Sequence, residues 1–281
     1  LRKTMKYGIK QIWDRRKRWL RERVEMKLPW NDKERAVLHP CVAHRGWSAR
    51  APENTMASFR LALSEPAVKW MELDVHLSRD QVPVVIHDST LKRTTGVNGR
   101  VSGMTAEQLA QLDAGSWFGP KFAQERIPTL DQVLKLASGR CCLNIEIKGE
   151  DSAPTLIVKR VLDDVRRRFM KNDVVITSFR PDVLTAVREQ SRSVRTGLII
   201  EDNPPGLIRT VQSLGSGMLS IGFRHLTERL LQQAAEAGIA VMAWTPNRLA
   251  DLNRLVCRPE PILICTNYPD RWLTAIHRKG G

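Results

Sequence analysis

Met71-Glu72-Leu73-Asp74-Val75-His76 and Leu143-Asn144-Ile145-Glu146-Ile147-Lys148 follow one rule: a large apolar residue alternates with a charged or amide residue. Successive side chains of a strand point to opposite faces. Each stretch therefore predicts a strand with one oily face, and with Glu72, Asp74 and His76, or Asn144, Glu146 and Lys148, on the other.

Outward from these two, short apolar runs predict strands over 41–46, 70–77, 142–148, 174–179, 195–200, 217–222, 239–245 and 262–266. Helical patterns separate most of them, such as Pro181 to Gln190 and Thr227 to Ala237. Eight strands alternating with helices favour a TIM (β/α)8 barrel over an open sheet, and the length of 281 residues suits one. Val82 to His87 predicts an additional strand, a hairpin partner of the second across Arg79-Asp80-Gln81. Residues 88–128, with Gly96, Gly99, Gly103, Gly115 and Gly119, predict an insertion on the top face of the barrel. The expected division is a basic arm over 1–38 and a barrel domain over 39–281.

The chain carries a net charge of +15, unevenly spread. Residues 1–40 hold thirteen Lys/Arg against five Asp/Glu, leaving thirty-two against twenty-five for the rest. Met5, Ile9, Ile12, Trp13, Leu20 and Val24 recur at helical spacing, which predicts a basic amphipathic helix over 1–35 ended by Pro29. Such a helix suits an anionic membrane surface. Nucleic acid is not an expected partner, because a basic composition without a reading motif is a weak signal.

Five cysteines, Cys41, Cys141, Cys142, Cys257 and Cys265, lie mostly in strand-like contexts with no CxxC spacing. They predict free buried thiols in a reducing compartment. With no apolar run long enough to span a bilayer and no secretory h-region, we expect a cytoplasmic protein, peripheral at the membrane through its arm.

A barrel interior is ordinarily filled with Val, Ile and Leu. Buried unpaired charges cost several kcal/mol each, so the inward groups here pair, bind a metal, or both. Glu72, Asp74 and Glu146 offer oxygen donors that suit a hard cation, Mg²⁺ or Ca²⁺. His44 and Arg45 at the end of the first strand, His87 after the hairpin, and Lys148 are cationic or proton-shuttling. That mixture suits a phosphoester, with Arg45 and Lys148 on phosphoryl oxygens and two histidines as acid and base. His76 shares the face of Glu72 and Asp74 but sits further along. His39, His225 and His277 read as structural or surface groups.

Residues 40–270 resemble the glycerophosphodiester phosphodiesterase family. The resemblance rests on His44-Arg45-Gly46, Ala51-Pro52-Glu53-Asn54-Thr55, Glu72-Leu73-Asp74-Val75 and Val85-Ile86-His87-Asp88. It continues through Leu91-Lys92-Arg93-Thr94-Thr95-Gly96, Leu112 to Phe118, Ile127-Pro128-Thr129-Leu130, Asn144 to Lys148, Ser178-Phe179 and Ala243-Trp244-Thr245. It implies hydrolysis of glycerophosphodiesters to sn-glycerol 3-phosphate and an alcohol. Glu72, Asp74 and Glu146 would bind a divalent metal, with Glu53 nearby as a fourth metal residue, and His44 and His87 would be the acid–base pair. Arg45 and Lys148 would contact phosphate, and Trp244 would pack on glycerol carbons. The substrate's own 2-hydroxyl is implied as the first nucleophile. An alternative on the same scaffold is a lysophospholipase D or phospholipase-type activity on membrane lipid.

Two departures stand out. Where the family has Asp-Gly after the second strand, this chain has Asp80-Gln81, which predicts a different turn type because Gln tolerates positive φ poorly. Where the family ends its last strand with Thr-Asp-x-Pro, this chain has Thr266-Asn267-Tyr268-Pro269, which removes a carboxylate near the site.

Overall fold

A computed structural model describes residues 38–149 and 152–277. The helix expected over 1–35 lies outside the described residues. Nine strands form one sheet: β1 Cys41–Ala43, β2 Trp70–Leu77, β3 Pro83–Val85, β4 Cys142–Ile147, β5 Val174–Ser178, β6 Arg195–Ile200, β7 Met218–Gly222, β8 Ala240–Trp244 and β9 Leu263–Thr266. All but β3 pair in parallel around a ring closed by β1 with both β2 and β9. This is the eight-stranded TIM barrel.

The strand alternation sorts the core into two. Met71, Leu73, Val75, Leu143, Ile145 and Ile147 point outward into the large cluster shared with the surrounding helices. Inside the barrel, Val42, Trp70, Val175, Met218, Met242 and Leu263 form an apolar plug at the end where the strands begin. Above that plug the inward residues become polar, beginning with Asn144, whose Oδ1 accepts from Thr177 Oγ1 at 2.8 Å. The charged groups thus occupy only the upper part of the interior, next to solvent.

The strand-to-helix return behaves as the sequence dictates. Thr227 caps Glu228–Glu236 by accepting from Leu230 N, and Pro181 occupies the first turn of Pro181–Gln190, where a missing N–H costs nothing. β3 runs antiparallel to β2, with Val75 opposite Val85. The insertion that follows holds two short helices, Lys92–Thr95 and Ala106–Leu109. Its own small core of Ile86, Leu91, Val101, Leu109, Ala114 and Ile127 seats it on β3.

Three details depart from the sequence reading. β1 ends at Ala43, so His44-Arg45-Gly46 lie in the turn beyond it, with φ of 56° at Arg45 and 77° at Gly46. The hairpin does not change turn type: Gln81 itself adopts φ 63°. Ser78 N donates to Val82 O and Arg160 donates to Gln81 Oε1, which hold the turn in place. Gln81→Gly is therefore expected to stabilise the protein by about 1 kcal/mol, read as a rise in the urea midpoint at unchanged m. An unchanged or lower midpoint would show that the Arg160 contact outweighs the backbone strain. The thiols also differ from expectation. Cys41, Cys141 and Cys265 are buried, but Cys142 is half-buried and Cys257, just past Leu249–Val256, is exposed.

Among the described residues no helix is long and apolar enough to cross a membrane.

Candidate active site

The parallel register of β2 and β4 sets Asp74 level with Glu146 and Glu72 level with Asn144. Neighbouring strands are under 5 Å apart, so three carboxylates are forced together. Ligand oxygens of Glu72, Asp74 and Glu146 all lie within 4.8 Å of one another, and all three residues are buried.

The turn after β1 closes over this cluster. Arg45 N donates to Glu72 Oε2 at 2.9 Å, an approach that needs the left-handed backbone there. Gly46 is required next, because a Cβ would sit 2.5 Å from Ser58 Oγ and 2.6 Å from Ser58 C. The Arg45 side chain lies between Asp74, 3.2 Å from Nε, and Glu53, 2.9 Å from Nη1. Lys148, just past β4, contacts Glu146 and lies 3.0 Å from Asp74. Asn54 Nδ2 donates to Asp74 Oδ2 at 2.8 Å.

These neighbours set the charges. Burial pushes Asp74 up, but Lys148 and Arg45 outweigh it and hold its carboxyl well below the usual range. Glu72 is raised well above its ordinary value by burial and by the charges of Asp74 and Glu146. Glu146 is raised to about 7 by burial and Asp74, against the pull of Lys148. Two of the three carboxyls are thus short of positive charge.

The histidines are built alike and backed differently. His44 Nδ1 lies 2.6 Å from Asn267 Oδ1, and His87 Nδ1 lies 2.6 Å from Asp88 Oδ1. With Nδ1–H donating in each case, both rings leave Nε2 for chemistry. His44 Nε2 is 3.8 Å from Glu72 Oε2. Burial, then the Arg45 charge, lower the His44 pKa to about 4. His76 is buried and bonds the His87 carbonyl at 3.0 Å, so it supports the backbone of that histidine.

Glu53 stands apart from the trio. Arg45 takes its Oε1, and Arg93 donates to both of its oxygens at 3.0 and 2.7 Å. Arg93 also donates to both oxygens of Asp88, at 2.6 and 3.1 Å. The insertion therefore reaches the site through one guanidinium that ties the partner of His87 to the partner of Arg45. Trp244 at the end of β8 meets Phe179 past β5 edge-on, with ring centroids 5.8 Å apart, and forms an apolar wall at the mouth. Sequence reasoning named neither Asp88, Arg93, Asn54 nor Asn267 as a site residue. The first three lie inside the quoted motif runs, and Asn267 stands where the family has aspartate.

The donor set fits a divalent cation. When all are ionised, Glu53, Glu72, Asp74, Asp88 and Glu146 outnumber Arg45, Arg93 and Lys148 by two charges, and without an ion that excess favours protons on Glu72 and Glu146. Glu72 Oε1 is buried and accepts no hydrogen bond. Hard oxygens with a charge deficit of two are what Mg²⁺ or Ca²⁺ takes.

Fold and mouth together define a TIM-barrel hydrolase built for a phosphate ester. Residues 44–271 match the sequence profile of the glycerophosphoryl diester phosphodiesterase family. The chain belongs to that family, and it is a phosphodiesterase that hydrolyses glycerophosphodiesters. It is similar to YhdW of Bacillus subtilis, 35% identical over 233 residues, covering 82% of this chain and 94% of that one. The glycerophosphodiester phosphodiesterase of Caldanaerobacter subterraneus is 33% identical over 241 residues, covering 85% and 98%. Among solved structures, an Oleispira antarctica phosphodiesterase in complex with its product sn-glycerol-3-phosphate superposes with a TM-score of 0.79 at 29% identity, covering 84% of this chain and 96% of that one.

Proposed function

We propose that the hydrolysis is metal-dependent and runs by histidine acid–base catalysis, releasing sn-glycerol 3-phosphate and an alcohol. Glu72, Asp74 and Glu146 hold the divalent ion, Mg²⁺ or Ca²⁺. Bound there, it supplies positive charge to a phosphoryl oxygen and acidifies a hydroxyl beside it. Glu53 serves the site through Arg45 and Arg93. Lys148 and Arg45 orient the phosphoryl group once it enters, and Trp244 with Phe179 packs against the glycerol carbons. His44 takes the proton of the attacking 2-hydroxyl at Nε2 and His87 delivers one to the leaving alcohol, which leaves a cyclic glycerol phosphate; a water then opens the ring to sn-glycerol 3-phosphate, His87 now taking the water's proton and His44 returning one to the 2-oxygen. The Asp88 carboxylate orients His87 through Nδ1 and sets a negative charge beside that ring, whereas the Asn267 amide orients His44 without adding charge. Residues 39–281 form the catalytic domain, and the basic arm over 1–38 rests on anionic membrane. The cytoplasm is the expected compartment.

The observation that carries the metal reading is the clustering of three buried carboxylates whose oxygens lie within 4.8 Å, two of them with raised pKa. Glycerophosphocholine hydrolysis tests it. Thorough chelation should abolish the activity, and Mg²⁺ or Ca²⁺ should restore it. Full activity in protein shown to be metal-free would end this reading.

A further inference from the structure

Phe169 is 91% exposed and has φ 56°. It follows the helix Pro154–Arg167, where Met170 N donates back to Val165 O, so Phe169 sits where a helix end ordinarily uses glycine. A side chain in that conformation presses on its own carbonyl, and here the ring gains almost no burial in return. It lies before β5, at the end of the barrel where the strands begin, whereas every catalytic group proposed above lies at the other end. Neither packing nor the reaction explains it.

Its surroundings point to a partner. The local sequence is Arg166-Arg167-Arg168-Phe169-Met170-Lys171. Segments leading into the barrel strands at this end carry Lys69, Arg140, Arg168, Lys171, Arg192 and Arg258 against Glu65, Asp173 and Glu260. Asp131, Asp163 and Asp164 pair with Arg166 to Arg168 along the helix flank. Lys171, Arg140 and Arg192 are exposed on the same end. Leu38, ahead of β1, lies at this end as well and is exposed.

We propose that this end of the barrel docks on an anionic lipid bilayer, with Phe169 entering the interface and the surrounding cations meeting lipid phosphates. A cationic rim around an aromatic tip matches that boundary, where charge and apolar surface are both accepted. The inference rests on the reading that the protein meets membrane, but gives the folded body a contact separate from the arm. It also fixes orientation. β2 alone spans eight residues, about 26 Å, so the active-site mouth faces away from the bilayer. The bound enzyme then works on glycerophosphodiesters in solution, not on lipids of the surface that holds it.

The test is sedimentation of the full chain with phosphatidylcholine vesicles containing phosphatidylserine. Phe169→Gly relieves the backbone conformation, so thermal stability should hold or rise, and glycerophosphocholine hydrolysis should stay at the wild-type rate. Its vesicle partition should fall about tenfold, and Phe169→Trp should keep it. Wild-type binding should be lost on pure phosphatidylcholine and in high salt. Vesicle saturation should leave hydrolysis of soluble glycerophosphocholine unchanged, and inhibition would reject the orientation. Partition of Phe169→Gly within twofold of wild type overturns the proposal. If deleting residues 1–37 abolishes binding in that case, the arm alone reaches membrane. If wild type does not bind, both readings fall, while the catalytic assignment stands on its own assay.

Discussion

Replacing either His44 or His87 with alanine is expected to lower kcat by roughly 10²–10⁴-fold on glycerophosphocholine. Each imidazole is pinned through Nδ1 at 2.6 Å, by Asn267 or by Asp88, so neither ring has a second task that would explain its placement. The double variant should be little worse than the worse single one, because the two act in one proton inventory. Leaving-group chemistry separates their roles. With p-nitrophenol the departing oxygen needs no proton, so His87→Ala should recover most of its loss while His44→Ala stays impaired. The low His44 pKa, about 4, keeps that ring neutral near pH 7, as a base must be. If His44→Ala is the variant rescued by the better leaving group, the acid and base are interchanged. Near-full activity of both variants on glycerophosphocholine would refute the mechanism itself.

The parts legible in the sequence are those governed by local period. Alternation in 71–76 and 143–148 sent Glu72, Asp74 and Glu146 inward, and the regular spacing of apolar runs fixed eight strands to within a few residues. Contacts between distant segments were not legible. Asn267 reaches His44 across 223 residues, and Arg93 reaches Glu53 across 40, because barrel closure and insertion docking bring them together. Period also says nothing about depth. The same inward face that carries Glu72 carries Trp70 one step lower, and only the closed barrel makes one a plug and the other a ligand candidate. Gln81 shows a third limit: propensity predicted another turn, but the hairpin bonds from Ser78 and Val82 outweighed the strain of φ 63°.

Glu146→Gln should weaken metal binding by roughly 10²-fold or more, since it removes one of the three buried carboxylates proposed to hold the ion. Yet it should raise the stability of the metal-free protein at pH 8. The sign follows from linkage. A carboxyl whose folded pKa is raised contributes stability while protonated, and that contribution is lost as pH rises through the folded pKa. For Glu146 the loss runs from the ordinary value of 4.5 to about 7, and Glu72 titrates in the same direction. His44 opposes them, because its lowered pKa means that its stability contribution is lost as pH falls from 6.5 towards about 4. Above pH 7 only the carboxylate penalty remains, on the order of 3 kcal/mol for Glu146, and glutamine does not carry it. Metal should therefore raise the wild-type Tm much more at pH 8 than at pH 5.5, where the ion must displace protons to bind. In Glu146→Gln the metal-induced rise should be small at both pH values, starting from a higher metal-free Tm at pH 8. Calorimetry of chelated and metal-loaded protein at the two pH values reads all four states. A metal-free Glu146→Gln variant less stable than wild type at pH 8 would mean that the Lys148 pairing outweighs burial and the repulsion from Asp74.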